Sequence, residues 1–334
     1  MKLVNLKEVV KLGLNRSDIM KTKEEFRKYY ENELINKTDE YSKTAKYYCG
    51  IGLLAYFILL YFCFLVKNIL PMSLTMLISL GGVLYLEYKF LSILKKKYKD
   101  ELVFDIVKFV SNNNSTATIQ YNSRVARDVL QECGIFNFDK LKFKGSNYTV
   151  MRENGYGIVL SDVKLWNWKN ARGQAKETFF EGVYFSASFN KPINEFVYLI
   201  PNNINDTVIS KLADYTNYKG IKVSLENMEF EKKYNVYSSD EIQARYILSL
   251  RLMERINDID NIFKRKKYIV FKQENGKVSI FFEGESIEHL RNFYLPIFNR
   301  DKEYDVLERV FEGFNNYIEV YKILDLENKL YMMQ

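Results

Sequence analysis

The chain has 334 residues, of which 47% are hydrophobic and 16% aromatic, and its formal net charge is +7 with a single histidine. This composition excludes wholesale disorder, because so many apolar side chains can form a core. The single histidine excludes metal sites built from several histidines. The three cysteines, Cys49, Cys63 and Cys133, have no metal-type spacing and favour a reducing compartment.

The basic excess is confined to one part of the chain. Residues 47–99 carry six Lys or Arg and one acidic residue, whereas residues 100–334 carry 32 basic and 33 acidic residues. The balanced bulk argues against a nucleic-acid-binding protein, and an excess beside the most apolar segment indicates a membrane surface. We therefore expect a lipid bilayer as a partner and no nucleic acid.

Two uncharged runs follow one another in the first third of the chain. Residues 47–66 contain no charge, and after Lys67 a second run extends over residues 68–86. Twenty helical residues span about 30 Å, the thickness of the hydrocarbon core of a bilayer. The pattern predicts a transmembrane hairpin over residues 47–88, and the alternative is a pair of buried helices in a soluble core. A secretory signal is not expected, because a long charged segment precedes the first run.

Lysines flank these runs unequally. Two lysines precede the first run, five follow the second, and one lies in the turn; in order they are Lys43, Lys46, Lys67, Lys89, Lys95, Lys96, Lys97 and Lys99. The positive-inside rule then places both termini in the cytoplasm of a cell (inner or plasma) membrane protein with two spans. Residues 89–334 become a cytosolic domain. Lys95, Lys96, Lys97 and Lys99 are candidate contacts for anionic lipid.

The N-terminal segment, residues 1–46, is predicted to contain an amphipathic helix. Its large apolar side chains fall near one face, among Lys and Glu residues at three- and four-residue spacing. They are Phe26, Tyr30, Leu34 and Tyr41. Two interpretations stay open: a solvated stalk that runs into the first span, and a helix that docks on its own domain or on a partner.

Beyond the expected membrane region the pattern is mixed and predicts an α+β domain with an antiparallel sheet and packed helices. Asn-Gly pairs at 154–155 and 275–276 predict tight hairpin turns. Alternating residues over 182–189 predict a strand with one buried face, joined by a hairpin to a strand at 196–200. Residues 301–325 return to helical spacing.

The segment 234–256 concentrates acids, arginines, serines and tyrosines. Ser238 followed by Glu241 matches the S-x-x-E capping box, and Arg245 stands four residues after Glu241, the favourable order for an ion pair. An apolar stripe is predicted from Ile242, Tyr246, Leu250, Met253 and Ile256. We therefore interpret the segment as one well-capped helix and not as an active site. Its motif residues are Ser238, Asp240, Glu241, Arg245, Tyr246, Met253, Glu254 and Arg255.

Three phrases of the sequence carry a resemblance to a known family. They are FFEGVYFSASFN (179–190), FEKKYNVYSSDEIQARYIL (230–248) and LMER (252–255). They resemble the bacterial family known as domain of unknown function 3137, whose cytosolic part has the patterns F-x-G-x-x-F-x-x-x-F-N, F-E-x-x-F-x-V-Y-S-x-D-x-x-x-A-R-Y-x-L and L-M-E-R. The resemblance implies a membrane-anchored cytosolic module of unassigned activity. Proteins of this family are similar in gene setting to companions of LemA-type membrane proteins. The matching positions are Phe180, Gly182, Phe185, Phe189, Asn190, Phe230, Glu231, Tyr234, Val236, Tyr237, Ser238, Asp240, Ala244, Arg245, Tyr246, Leu248, Leu252, Met253, Glu254 and Arg255.

A search for reactive chemistry identifies few candidates. Cys133 and His289 could act as nucleophile and base, but VLQECGIF is typical of a buried helix end with Gly134 as its C-terminal cap. Trp166 and Trp168 could stack nucleobases, although packing is favoured. The run KRKK at 264–267 is interpreted as a solvated turn. No catalytic set, cofactor site or metal site is predicted.

We therefore expect a membrane-anchored cytosolic binding or regulatory module that engages a membrane-associated protein partner, with a LemA-type protein as one candidate. Two alternatives stay open. One is a membrane-bound enzyme of unknown reaction. The other is a surface binder of anionic lipid or nucleic acid that uses the juxtamembrane lysines and the run at 264–267.

Overall fold

The structure is a computed structural model that describes residues 21–65, 72–111, 117–137, 141–153, 156–168, 176–188, 196–202, 220–272, 277–291 and 300–331. The chain divides into two compact units: unit 1 comprises Met1–Ile106 and Phe293–Phe311, and unit 2 comprises Val107–Asn292 and Glu312–Gln334. The domain boundaries predicted at residues 46 and 88 depend on the expected membrane spans, and they stay a prediction.

The elements, in chain order, are α1 (Lys23–Tyr29), a π-helical turn (Tyr30–Leu34), α2 (Ile35–Leu65), α3 (Met72–Val110), β1 (Thr118–Gln120), α4 (Arg127–Glu132), β2 (Lys142–Glu153), β3 (Tyr156–Trp168), β4 (Lys176–Ser188), β5 (Phe196–Pro201), β6 (Ile221–Val223), α5 (Met228–Glu231), β7 (Tyr234–Ser238), α6 (Glu241–Ile247), α7 (Leu250–Ile262), β8 (Lys267–Lys272), β9 (Lys277–Glu283), α8 (Ile287–Arg291) and α9 (Arg300–Tyr331).

The first helix of unit 1 docks through the apolar face that the sequence predicts. Thr22 and Glu25 form a capping box at its start. The Phe26 ring stacks on Phe311 with centroids 4.5 Å apart, and the Tyr30 hydroxyl donates to a Glu303 carboxylate oxygen at 3.0 Å. All four predicted face residues, Phe26, Tyr30, Leu34 and Tyr41, are buried. The segment is therefore a docked helix and not a solvated stalk.

Helices α2 and α3 pack side by side in opposite directions. The contacts pair Lys37 with Asp105 in an ion pair, Tyr41 with Tyr98 at 4.4 Å between ring centroids, and Tyr48 with Phe90 at 4.1 Å; residue numbers rise along α2 as they fall along α3. The two helices therefore form an antiparallel pair. The predicted turn around Lys67 lies outside the described residues.

By length and composition, one helix in the described part of the chain could cross a membrane, and it covers Lys23–Phe62. Only 6% of its most apolar window is buried. A signal sequence near an N-terminus meets the same criterion, so the helix is a candidate anchor or signal. The second predicted span, residues 68–86, begins outside the described residues and has undescribed side chains up to residue 79, so it stays a prediction.

Unit 2 is built on one antiparallel sheet, which confirms the predicted α+β class. Among the described residues, nine strands are ordered β1-β2-β3-β4-β9-β8-β5-β7-β6. The β2–β3 and β8–β9 hairpins are those predicted from the Asn-Gly pairs, although the turn residues 154–155 and 273–276 lie outside the described residues.

Strand β4 is buried on both faces, so the prediction of a single buried face is wrong. Val183 and Phe185 lie on one side and Tyr184 on the other, and all three are at most 1% exposed. Tyr184 packs with Phe136, Leu130 and their neighbours, while Phe185 meets Phe282, which contacts Tyr317 of α9. Because both sides of β4 are covered, the small residues that alternate along the strand do not form a polar, solvent-exposed face.

The predicted hairpin between β4 and β5 is also wrong. β4 pairs with β3 and β9, and β5 pairs with β7 and β8. The β8–β9 hairpin enters the sheet between them, a long-range pairing that local alternation cannot indicate. Gly182 permits the β4–β9 contact, because a Cβ there would lie 2.0 Å from the Phe282 carbonyl oxygen.

Residues 234–262 form a strand and two helices, so the prediction of one helix is wrong. Ser238 ends β7 and is fully buried, its hydroxyl donating to the Phe196 carbonyl oxygen at 2.9 Å. Asp240 caps α6 instead, accepting from the Ile242 N–H at 2.8 Å. Leu248 interrupts the helix with φ −86° and ψ 61°, and Ser249 caps α7.

This break divides the predicted apolar stripe. Ile242, Tyr246 and Leu250 are exposed by 79%, 49% and 59%, whereas Met253 and Ile256 are buried. The predicted ion pair between Glu241 and Arg245 is confirmed, with 2.8 Å between Nη2 and Oε1. The C-terminal half of the stripe therefore belongs to the core, and the N-terminal half faces solvent.

Candidate binding groove

Unit 2 contains an open groove of about 900 Å³. It is formed by the N-terminal halves of β2 and β4, by the middle of β3, by the residues on either side of the β8–β9 hairpin, and by the start of α8. Side chains of both charges line it together with Ser146, Thr178 and Ser286 and the aromatic Phe179. A cleft of this size with converging polar groups is the usual location of a ligand or peptide site.

Asp162 organises one wall of the groove. Its carboxylate accepts hydrogen bonds from the Asn147 side-chain amide at 2.6 Å and from the N–H groups of Ile287 and Glu288 at 2.8 and 3.0 Å. Burial raises the pKa of Asp162, and these three hydrogen bonds oppose that change. The carboxylate therefore anchors α8 to the sheet, and three of its roughly four acceptor positions are already used.

Asn147 reaches Asp162 because of a local irregularity in β2. The register of the β2–β3 pair shifts between Ser146 and Thr149, and Asn147 adopts a left-handed conformation with φ 54°. Asparagine tolerates this conformation better than other non-glycine residues. The bulge turns the Asn147 side chain, which is 1% exposed, towards the carboxylate.

The floor of the groove carries a row of charged residues across three strands. Lys144 lies opposite Lys164, and Lys164 lies opposite Glu181, in the registers of β2–β3 and β3–β4. The Lys164 ammonium lies 2.6 Å from the Glu181 carboxylate. Lys144 thus stands beside another cation, and the Glu181 carboxylate offsets the repulsion that two like charges opposite each other cause in a strand pair.

The run KRKK at 264–267 forms part of the opposite wall, and its interpretation as a solvated turn is wrong for one residue. Lys267 is 3% exposed, and its ammonium contacts Asp260 at 2.8 Å and the Arg265 carbonyl oxygen at 3.0 Å. Arg265 donates to the Gly284 carbonyl oxygen at 3.1 Å. Lys264 and Lys266 line the groove.

The structure places Cys133 and His289 in different surroundings. His289 is exposed at the groove, whereas Cys133 is buried in the core cluster, with its Sγ 3.5 Å from the Ser279 hydroxyl and 3.8 Å from the Tyr184 hydroxyl. Burial raises the pKa of the Cys133 thiol, which disfavours the nucleophilic thiolate. As predicted, Cys133 closes its helix and Gly134 follows in a left-handed conformation with φ 73°.

The remaining predicted site residues lie outside the groove. The lysines proposed to contact lipid are on α3, where Lys96 and Lys97 are exposed and Lys97 lies 3.8 Å from Glu101; the side chain of Lys95 is not described. Glu254 is exposed and Met253 is buried on α7. Within the described ranges, no three His, Cys, Asp or Glu side chains group in a way that could hold a metal ion.

The sequence does not indicate the groove, because its walls come from five separated segments without a local motif. Neighbouring strands bring Lys144, Asp162 and Glu181 together, and only the strand order predicts that Gly284 and Ser286 join them. At Gly182 and Asn147 the backbone requires a particular type of residue. This requirement can be recognised only when the pairing partners of the strands are known.

Comparison with known proteins identifies a domain in this part of the chain. Residues 178–326 match the family described as "Protein of unknown function (DUF3137)", so a domain of this family is present there. The match begins inside β4, and the hairpin strands β2 and β3 precede it although they belong to the same sheet.

No curated protein matches the sequence. Among solved structures, the chain is similar to the crystal structure of the mycobacterial trehalose monomycolate transport factor A, TtfA, with 12% identity and a TM-score of 0.32. That similarity covers 65% of this chain and 95% of the other.

Proposed function

We propose that this chain, whose residues 178–326 form a DUF3137 domain, is a membrane-anchored binding module that receives a segment of a membrane-associated protein in the groove of unit 2. The observation that carries the proposal is the exposure of large apolar side chains on both α2 and α3. Tyr47, Leu54 and Phe57 on α2 are at least 63% exposed, as are Tyr85 and Leu86 on α3.

This exposure supports a lipid environment. A helix of a soluble core hides its apolar residues, whereas a transmembrane helix presents them to acyl chains. The exposed apolar residues recur over 51–62 of α2 and 80–93 of α3, which run antiparallel. We infer that the two helices cross the bilayer as a hairpin, with both termini in the cytoplasm because lysines flank the runs on that side.

Cysteine labelling of intact cells tests this topology. A cysteine introduced beside Lys67, in the proposed turn, should react with a membrane-impermeant maleimide from outside. The matched control is a cysteine at Lys96, an exposed position on α3 beyond the second run, which should react only after the cells are opened. Labelling of the Lys96 position alone in intact cells would contradict the proposed orientation.

The groove supports a protein ligand because its lining is mixed in charge. Lys144, Lys264 and Lys266 provide cations, Glu181 and Glu285 provide carboxylates, and Phe179 contributes an aromatic surface. A peptide segment that carries charges of both signs and an apolar side chain complements such a lining. An enzymatic role would need a nucleophile or a base positioned against a substrate, and the candidate bases in the lining are His289 and carboxylates such as Glu285.

Co-purification in mild detergent tests the groove. Lys144→Glu combined with Lys264→Glu should reduce the co-purified membrane partner at least tenfold, because it reverses two exposed charges of the lining. Lys232→Glu reverses an exposed lysine outside the lining and should leave the partner bound. A LemA-type membrane protein is the first partner to probe. Equal recovery with all variants would exclude the groove as the binding site.

A further inference from the structure

Strand β9 fills only part of its place in the sheet of unit 2. It lies between β4 and β8, and its last partner on β4 is Gly182. At Gly284, where φ is 72°, the chain turns out of the sheet and leads into α8. β4 extends further, over residues 176–180, and the described residues pair this part with β3 alone. One edge of β4 is therefore open beyond the end of β9.

The groove lies in the continuation of β9. Its lining includes residues 178–182 of β4 on one side and residues 264–266, which precede β8, on the other. At the end of β9, the Gly284 N–H donates to the Glu181 carbonyl oxygen at 2.8 Å, and the Glu283 N–H donates to the Lys266 carbonyl oxygen at 2.9 Å. Because neighbouring strands lie about 4.8 Å apart, the two strands on either side of β9 are separated by about 9.6 Å. The groove continues this space beyond Gly284, so one further strand fits between its walls.

We propose that the groove binds its protein ligand as an added β-strand, which pairs with the open edge of β4 in the place that β9 leaves. The inference rests on the proposed function, in which the groove receives a segment of a protein, and it names the conformation of that segment. An unpaired strand edge is a template for an extended chain, because its N–H and C=O groups can form a ladder with it. Main-chain bonds of this kind supply affinity in a recurrent mode of peptide recognition, and pockets for alternate side chains supply specificity.

The direction of the main-chain groups of β4 supports this mode of binding. The Glu181 carbonyl oxygen faces β9, and successive residues of a strand face alternate neighbours. The register with β3 shifts between Phe180 and Thr178, which leaves Phe179 as the extra residue of a bulge. Counted across this bulge, the N–H of Thr178 faces the groove. Thr178 is exposed and belongs to the lining of the groove.

The opposite wall offers fewer main-chain partners. The carbonyl oxygens of Phe263 and Arg265 already accept hydrogen bonds from the Lys267 ammonium. The carbonyl oxygen of Lys266 accepts from the Glu283 N–H. An added strand therefore finds its main-chain partners on one side, along β4.

The side chains around the open edge suit a segment with charges of both signs. Lys264 and Lys266 line the wall opposite β4, and Glu283 and Glu285 line the groove where β9 ends. Within the ranges that the structure describes, none of these four side chains forms an ion pair. Side chains of an added strand point alternately to the two faces of the sheet, so a segment with acidic and basic residues can supply partners for both kinds of charge.

Selection from a peptide library tests the proposal on the full chain in mild detergent. The probe is a phage library that displays random octapeptides, and the selected sequences are then synthesised with single N-methylated amides. N-methylation removes a donor and blocks the approach of the neighbouring strand, so methylation at every second position should raise Kd by about tenfold or more. Methylation at the intervening positions, whose N–H groups face away from β4, should change Kd by less than about threefold. Failure to enrich any octapeptide, or losses that do not alternate, overturns the proposal.

Position 178 provides a matched pair of variants. Thr178→Pro removes the N–H that faces the groove and should raise the Kd of a selected peptide by about tenfold or more. Thr178→Val keeps the N–H and should bind within about twofold of the native chain. Circular dichroism checks that both variants fold, and the methylation series decides alone where the proline variant does not. Equal binding by a folded proline variant and the native chain contradicts the pairing with β4.

The outcome can be separated from that of the proposed function. Loss of the membrane partner in the Lys144→Glu and Lys264→Glu double variant, with a methylation series that does not alternate, keeps the groove as the binding site and rejects the added strand. An alternating series, with a partner that the double variant retains, keeps the added strand and rejects the groove as the site of that partner.

Discussion

The Lys267 ammonium lies 2.8 Å from the Asp260 carboxylate, and the lysine side chain is 3% exposed. Asp260 also accepts from the Tyr234 hydroxyl at 2.8 Å, and Lys233 lies 3.2 Å from it at the surface. The pair connects the end of α7 to the first residue of β8. It therefore stabilises the junction from which the C-terminal hairpin enters the sheet.

Removal of one member of the Asp260–Lys267 ion pair should strongly destabilise the protein. Asp260→Asn leaves the buried Lys267 ammonium with neutral partners only, and we expect a loss of about 3–5 kcal/mol. Lys233→Met removes the partner that is 46% exposed and should change stability by less than about 1 kcal/mol. Urea unfolding of the full chain in detergent, followed by tryptophan fluorescence, measures both, because the two tryptophans lie in β3 and report on unit 2. Similar effects of the two variants would contradict this ranking.

Gly134 should tolerate no side chain while Tyr198 keeps its hydroxyl. A Cβ at Gly134 would lie 2.4 Å from the Tyr198 hydroxyl oxygen, and its φ of 73° is left-handed. The conformation alone costs about 1–2 kcal/mol for alanine, and the overlap adds to it. In a Tyr198→Phe background, Gly134→Ala should therefore cost less than in the native chain. A double-mutant cycle by urea unfolding checks this, and strictly additive losses would refute the overlap.

Tyr198 should also make unit 2 sensitive to alkali. Burial, with a smaller effect of Cys133, raises its pKa from 10.0 to about 12. The folded protein keeps the phenol proton where the unfolded chain loses it, so this stabilisation is complete below pH 10 and is lost as the pH rises towards 12. Between pH 10 and 11, Tyr198→Phe should lose about 1 kcal/mol less than the native chain. Unfolding curves at pH 7, 10 and 11 provide the comparison, and parallel losses would contradict it.

The two halves of the predicted stripe should respond differently to truncation. Met253 is 3% exposed, and Met253→Ala should cost about 2–5 kcal/mol. Ile242 is 79% exposed, and Ile242→Ala should change the stability of the protomer by less than about 0.5 kcal/mol. Urea unfolding of the full chain in detergent provides the comparison. A large loss of stability in Ile242→Ala would instead support the prediction of a single buried helix.

Local patterns predicted what depends on neighbouring residues. The apolar face of Phe26 and Tyr30, the two Asn-Gly hairpins and the Glu241–Arg245 pair all depend on short spacings, and each is present. The capping box at Ser238 was predicted on the same basis and is wrong. Its hydroxyl bonds to the Phe196 carbonyl oxygen, a partner 42 residues away.

The features that could not be predicted depend on pairing between strands that are far apart in the sequence. Nothing near β4 in the sequence indicates that β9 will lie beside it, so its second buried face and the floor of the groove could not be predicted. Lys267 belongs to a basic run that is typical of a solvated turn, and the ion pair with Asp260, seven residues earlier on α7, compensates for the burial of its charge. The groove depends on the same long-range order, which brings Gly284 to Glu181 through a hydrogen bond of 2.8 Å.

The order of the strands has a consequence for synthesis on the ribosome. β4 ends at Ser188, yet its neighbour β9 begins only at Lys277. In the same way, β5 is synthesised well before its neighbour β8. Until the C-terminal hairpin emerges, the nascent chain holds two partial sheets, each with an unpaired edge. Such edges recruit strands from other chains. A polypeptide released before residue 283 should therefore aggregate or be degraded.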